Sequence, residues 1–202
     1  MRRLKVNIED IHIKGSLFQL SDVITSIDKV MQKISQETEM VTSLVVKYSS
    51  SNSGQQYSRM ASTLLELRDY LYEASVEMNE MQNEIVEYQN KVMRYEEVTG
   101  SVVLPQKHIV HRTRIEFQTH DMQFRVNDMM QLSSALQKYS ASIYFQTQDM
   151  VKIKNDAGRF WMDSQYRDFS RFVDENSLYT MNSLKAFGEY VDFLNQRIKE
   201  LS

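Results

Sequence analysis

Near neutral pH, proton transfer falls most readily to histidine, and the chain holds four: His12, His108, His111 and His120. His108-Ile109-Val110-His111 offers two imidazoles close together, with Glu116 and Asp121 as oxygen donors nearby. A zinc site built on them lacks both the HExxH spacing and a cysteine to complete the ligand set. They read as hydrogen-bonding or solvent-facing histidines, and no metal site is expected. No G-x-S-x-G elbow, phosphate-binding glycine loop, dinucleotide fingerprint or EF-hand loop occurs. No pair of carboxyl groups stands out against an apolar pocket. The expectation is a protein without catalysis and without a cofactor.

What remains is chemistry of association. Glu66, Glu73, Glu80 and Glu87 repeat every seventh residue, with Glu77 and Glu84 beside them. On a helix this makes an acidic stripe, read first as a solvated face and second as a match for a basic helix. The first 98 residues carry net −4 and the rest +1, and the whole chain −3. Nothing here draws the whole chain to nucleic acid or an anionic bilayer. The aromatics crowd the last quarter: Phe160, Trp161, Phe169, Phe172, Tyr179, Phe187, Tyr190 and Phe193. Phe169, Phe172 and Phe193 do not fit one narrow stripe with Leu184 and Val191, so a helix bearing them needs cover on several sides. Many of the 13 methionines fall at or near the apolar seams and read as core filling.

These groups must be positioned by helices. One Pro and five Gly in 202 residues cannot punctuate a many-stranded fold. From about Ser16 to Tyr48, the positions Leu20, Ile24, Ile27, Met31, Ile34, Thr38, Val41, Val45 and Tyr48 alternate spacings of four and three. That pattern predicts a long helix with a heptad seam. The polar stretch Ser49–Gly54 turns the chain. A second helix from near Tyr57 carries Leu64, Leu67, Leu71, Ala74, Met78, Met81, Ile85, Tyr88 and Val92 on its seam. A third is marked by Met129, Leu132, Leu136, Tyr139, Ile143, Met150 and Ile153. After Asn155–Gly158, a fourth runs from near Trp161 to Leu201, with Leu184, Phe187, Val191, Leu194, Ile198 and Leu201 on its seam. The prediction is an all-α chain of two antiparallel hairpins, residues 1–98 and 115–202, joined by a linker at 99–114 around Gly100 and Pro105. No stretch approaches the ~18 apolar residues of a membrane span, and the basic start is too interrupted for a cleaved leader. The expected location is the cytoplasm, or outside the cell by a route without a cleaved signal.

A shift of 109 positions lays one half on the other. It pairs Ile27 with Leu136, Ile34 with Ile143, Tyr57 with Tyr166 and Leu64 with Val173. It also pairs the alternating lead-ins, Val6 with Ile115 and Ile8 with Phe117, and the polar turns. The halves therefore read as an internal repeat. Each lead-in is a short strand or an extended arm.

Trp161-Met162-Asp163 at the second hairpin tip, with Phe169 eight residues after the Trp, resembles the turn of the WXG family. These are early-secreted-antigen-like helical hairpins of type VII secretion, with a Trp-x-Gly or Trp-x-Asp turn. The resemblance covers residues 115 to 201. The 109 shift places Asn52-Ser53-Gly54 on Trp161-Met162-Asp163, so the first half lacks the Trp. A double hairpin is also similar to the helical region of the related LXG toxins. The family's export signal sets an acidic residue four after a Tyr, whereas Tyr190 is followed there by Leu194 and Tyr179 by Ser183. The resemblance implies a non-enzymatic, secretion-associated protein that binds a helical partner: a second copy, or a co-encoded secretion protein or toxin. A general coiled-coil scaffold is the alternative. The partner surface is expected at Phe160, Trp161, Asp163, Phe169, Phe172 and Phe193. Two helices of one hairpin cannot fully enclose Phe160 and Trp161 at its tip, and Phe169, Phe172 and Phe193 add apolar area on more than one face of the last helix.

Overall fold

The computed structural model describes residues 13–14, 16–49, 54–112, 114–115 and 125–201. Four helices make up most of it: α1 (Gln19–Tyr48), α2 (Gln55–Tyr95), α3 (Val126–Ala157) and α4 (Ser164–Leu201). The chain is all-α. Among the described residues the one β pairing is an isolated antiparallel bridge between Ile13 and Trp161. The lead-in positions Leu4, Val6, Ile8 and Phe117 lie outside the described residues. So do His12, His120, Glu116, Asp121 and the turn at 50–53.

α1 packs on α2 and α3, and α4 packs on the same two. The helices therefore stand at the corners of a square, with α1 opposite α4. Every edge is antiparallel. Ser21 and Asp28 of α1 bond to Gln89 and Gln82 of α2. Thr38 meets Tyr139, and Tyr48 meets Gln131, across α1 and α3. Tyr57 and Tyr70 touch Tyr190 and Tyr179 across α2 and α4. Ser133 and Lys154 reach Asn195 and Asp174 across α3 and α4.

Most predicted seam positions are buried, while Ala74, Met81, Ile153, Leu184 and Ile198 are half-buried and Leu201 is exposed. All nine seam positions of α1, from Leu20 to Tyr48, are buried, as are Leu64, Leu67, Leu71, Met78, Ile85, Tyr88 and Val92 of α2. A residue on a helix that touches two neighbours needs a wider apolar face than a simple coiled coil, and Val23, Val30 and Val86 supply it. One hydrophobic core runs through all four helices. At mid-height Met31, Leu71, Met78, Met150, Phe172 and Val173, with other residues of the four helices, surround a cavity of about 60 Å³. The two hairpins are thus halves of one packed body.

This topology sets the path of the connection between them. α2 ends beside the start of α1 (Gln89 against Ser21), whereas α3 begins beside the end of α1 (Gln131 against Tyr48). The chain must therefore travel the length of the bundle. α2 stops where Glu97 turns to φ 53° and the Val98 amide closes on the Met93 carbonyl at 2.9 Å. Residues 98–112 then run back without helix along α1 and α2, with Val110 buried between them. The segment read from sequence as a linker is, over its described part, a strap laid on the first hairpin.

Candidate functional site

The Trp161 turn is built by three pieces of chain. α3 ends at Ala157, and the amides of Phe160 and Trp161 fold back onto the Ala157 carbonyl at 3.1 and 2.9 Å. The helical pattern was expected to resume near Trp161, but α4 begins at Ser164. The reason is Asp163. Its Oδ1 accepts the Tyr166 amide at 3.2 Å, the geometry of a helix N-cap, so the chain stays non-helical through Asp163. Its second oxygen, Oδ2, accepts the Tyr88 hydroxyl of α2 at 2.5 Å. One buried carboxylate thus caps α4 and ties the second hairpin to the first. A Cβ on Gly158 would run into the Tyr166 ring, whose hydroxyl bonds to the Lys154 carbonyl.

Trp161 itself is 0% exposed. Its ring lies between those of Tyr88 at 6.1 Å, Tyr166 at 5.8 Å and Phe169 at 6.0 Å. Ile13 and Lys14 close over it through the Ile13 bridge and a 2.7 Å bond from the Lys14 amide to the Phe160 carbonyl. The expectation of a partner-facing Trp161 is corrected on this geometry. The two helices of its own hairpin do not enclose it, but α2, Ile13 and Lys14 complete the wall.

The other expected residues do not gather around it. Asp163, Phe169 and Phe172 are buried, and Phe172 lines the central cavity instead of the surface. Phe160 and Phe193 are half-buried. Phe193 lies near the far end of α4, about 45 Å away at 1.5 Å per residue, where it stacks on Tyr190 and carries Arg197 over its ring. These six residues form core and bundle ends, not one surface.

The acidic stripe is a solvated face. Glu66, Glu73, Glu77, Glu80 and Glu87 are exposed and Glu84 is half-buried. At its edge Arg112 of the strap sits 3.1 Å from Glu73 and 3.6 Å from Asp69. Among the described residues no group of three His, Cys, Asp or Glu is placed to hold a metal. His108 is half-buried and His111 exposed, both on the strap.

Two features had no part in the sequence reading. The first is a groove of about 490 Å³ between the second half of α1 and the first half of α3. Met40 and Met130, each more than half exposed, stand on it with Leu44, Ala135 and Lys138, and Tyr48 and Tyr139 form its floor. Met130, one of the methionines beside the α3 seam, is exposed and does not fill the core. The second is a polar row inside α2. Ser75, Gln82 and Gln89 are at most 1% exposed and repeat every seventh residue. That heptad of polar residues, adjoining the apolar seam, is a signal the sequence carried.

Comparison with protein-family models, curated proteins and solved structures finds no match to this chain. No described helix is long and apolar enough to cross a membrane.

Proposed function

We propose that this chain is a non-enzymatic helical interaction protein, a tandem pair of hairpins closed into one bundle, which docks a helical partner in a secretion-associated role. The observation that carries the binding role is the α1–α3 groove. Methionines that fill a core are covered, but Met40 and Met130 are left 54% and 53% exposed on the rim of an open apolar channel. Flexible, polarizable side chains in such a groove suit the apolar face of an amphipathic helix. Phe145 and Tyr144, further along α3, add exposed aromatic area.

The tandem reading is supported by contacts that the 109 shift reproduces. Tyr57 donates its hydroxyl to the Val45 carbonyl, and Tyr166 donates to the Lys154 carbonyl. Each partner is the other's shifted counterpart. Tyr70 falls on Tyr179, and those two rings stack on each other at 3.7 Å. Residues on a twofold axis must touch their own equivalents, and this stack is a contact that such an axis between the hairpins would produce. The secretion-associated part rests on the resemblance of Trp161-Met162-Asp163 to the WXG turn. The scaffold alternative draws on the burial of Trp161, which lets folding alone explain the turn.

Tagged protein recovered from its native host, followed by mass analysis of what accompanies it, tests the assignment. A helical secretion-linked partner is expected, lost in the double variant Met40→Glu/Met130→Glu with the thermal midpoint unchanged. Retention of that partner by the double variant removes the groove. Recovery of structural partners alone favours the scaffold.

A further inference from the structure

We infer that the groove between α1 and α2 is a recognition site for extended polypeptide main chain, held in cis by residues 106–110 of the strap. The inference does not depend on the tandem or secretion reading. Over residues 106–110 every hydrogen bond from the two helices goes to the strap's backbone, while its side chains are held by burial of Val110 and, further on, by Arg112 beside Glu73 and Asp69. Asp28 Oδ2 accepts the Gln106 amide at 3.1 Å, and Ser75 Oγ accepts the Val110 amide at 3.2 Å. Asn79 Nδ2 donates to the His108 carbonyl at 3.4 Å, and Ser35 Oγ donates to the Ile109 carbonyl at 3.1 Å. Four points within five residues of chain are read, two donors and two acceptors, at Gln106, His108, Ile109 and Val110. Only Val110 is fully sunk.

The groove is organised for this occupant. Gln82 donates to Asp28 Oδ1 at 2.7 Å and to the Ile24 carbonyl, which fixes the carboxylate with its second oxygen toward the strap. Ser75 spends its proton on the Tyr72 carbonyl at 2.7 Å, leaving its oxygen to accept. Spacing agrees as well. Asp28 and Ser35 are two turns apart, about 10.5 Å along α1. Gln106 and Ile109, their partners, are three extended residues apart, about 10 Å. Burying the Asp28 carboxylate and the Ser75 oxygen in an α1–α2 seam is costly unless donors satisfy them, and the strap amides do so. The second hairpin has no such set, since the shift puts Gln137, Leu184 and Val191 at the positions of Asp28, Ser75 and Gln82. No strap lies between α3 and α4 among the described residues.

A site that reads main chain accepts any extended segment with an aliphatic residue at the Val110 position. The strap is therefore a tethered competitor, and a peptide in trans binds by displacing it. The occupant proposed is an extended peptide of the strap's own pattern, and the probe is a labelled peptide with the sequence of residues 102–112. Wild-type protein should bind it weakly, because the groove is vacant in only a small fraction of molecules. Val110→Asp in the full chain weakens the tethered strap and should tighten peptide binding by about tenfold or more. Adding Ser75→Ala to that variant removes the acceptor for the Val110 amide and should weaken binding again. Folding of each variant is checked by circular dichroism. A folded Val110→Asp chain that binds no better than wild type overturns the inference, as does indifference to Ser75→Ala. Native-state hydrogen exchange on the unmodified chain provides the test that needs no variant. The Gln106 and Val110 amides should open locally, before the buried amides of α1 and α2, and open faster with peptide present. Exchange only through global unfolding, in step with the helices, contradicts the site.

Discussion

Asp163 concentrates the most structural work in one side chain. It caps α4 and receives the Tyr88 hydroxyl inside the bundle. Asp163→Ala should therefore lose the cap and the charge-assisted bond to the Tyr88 hydroxyl, at about 2–4 kcal/mol together. Asp163→Asn keeps one acceptor oxygen for the Tyr166 amide and turns the other position into an NH2 that can donate to the Tyr88 hydroxyl, so it should lose less. Thermal melts of the two variants check the order. Trp161→Ala should cost about 3–5 kcal/mol of folding stability, as a large side chain removed from a closed core does. The sequence showed that these residues are special, by type and by position at a turn. It did not show which other helix end would arrive to cover them. That depends on the diagonal order of the helices, and no single hairpin's pattern encodes it. Exposed glutamates sit at the opposite extreme. Glu80→Gln or Glu87→Gln should move stability by no more than about 0.5 kcal/mol.

Among the elements, the helices were legible and the strap was not. Apolar spacing of three and four marks α1 to α4 to within a few residues, because each helix must bury a stripe whatever its neighbour. The strap has the opposite character. Its hydrogen bonds go to side chains of two helices remote in sequence, so its own residues 98–112 show only turn formers and β-branched pairs. The readable trace lay in the receiving groove, in the polar row Ser75, Gln82, Gln89. Ser75→Ala in the wild-type chain leaves the buried Val110 amide without an acceptor and should cost about 1–3 kcal/mol. Denaturant titration, with an unchanged slope and a lowered midpoint, is the expected result.

At the scale of the whole molecule, a shared core makes the hairpins one cooperative unit. The buried tyrosines add a pH limit. Burial holds the hydroxyls of Tyr57, Tyr139 and Tyr190 well above the ordinary 10.0 in the folded chain. Above pH 10 the unfolded chain loses these protons first, so it binds fewer protons than the native state and gains stability relative to it. Stability should be flat with respect to these groups below pH 10 and fall above it, by up to about 1.4 kcal/mol per pH unit for each tyrosine. Tyr139→Phe should blunt part of that fall, read by denaturant midpoints at pH 8 to 11, as roughly one tyrosine's share of the slope. The closure of the two hairpins around the turn is the claim on which the rest stands, and the chain's single tryptophan reports on it. The intrinsic fluorescence of Trp161 in the native protein, with acrylamide and iodide as quenchers, is the direct measurement. A closed bundle predicts blue-shifted emission, little quenched by iodide and shifting to the red in one transition on unfolding. Native emission already at the wavelength of the unfolded chain, and as readily quenched, would contradict it.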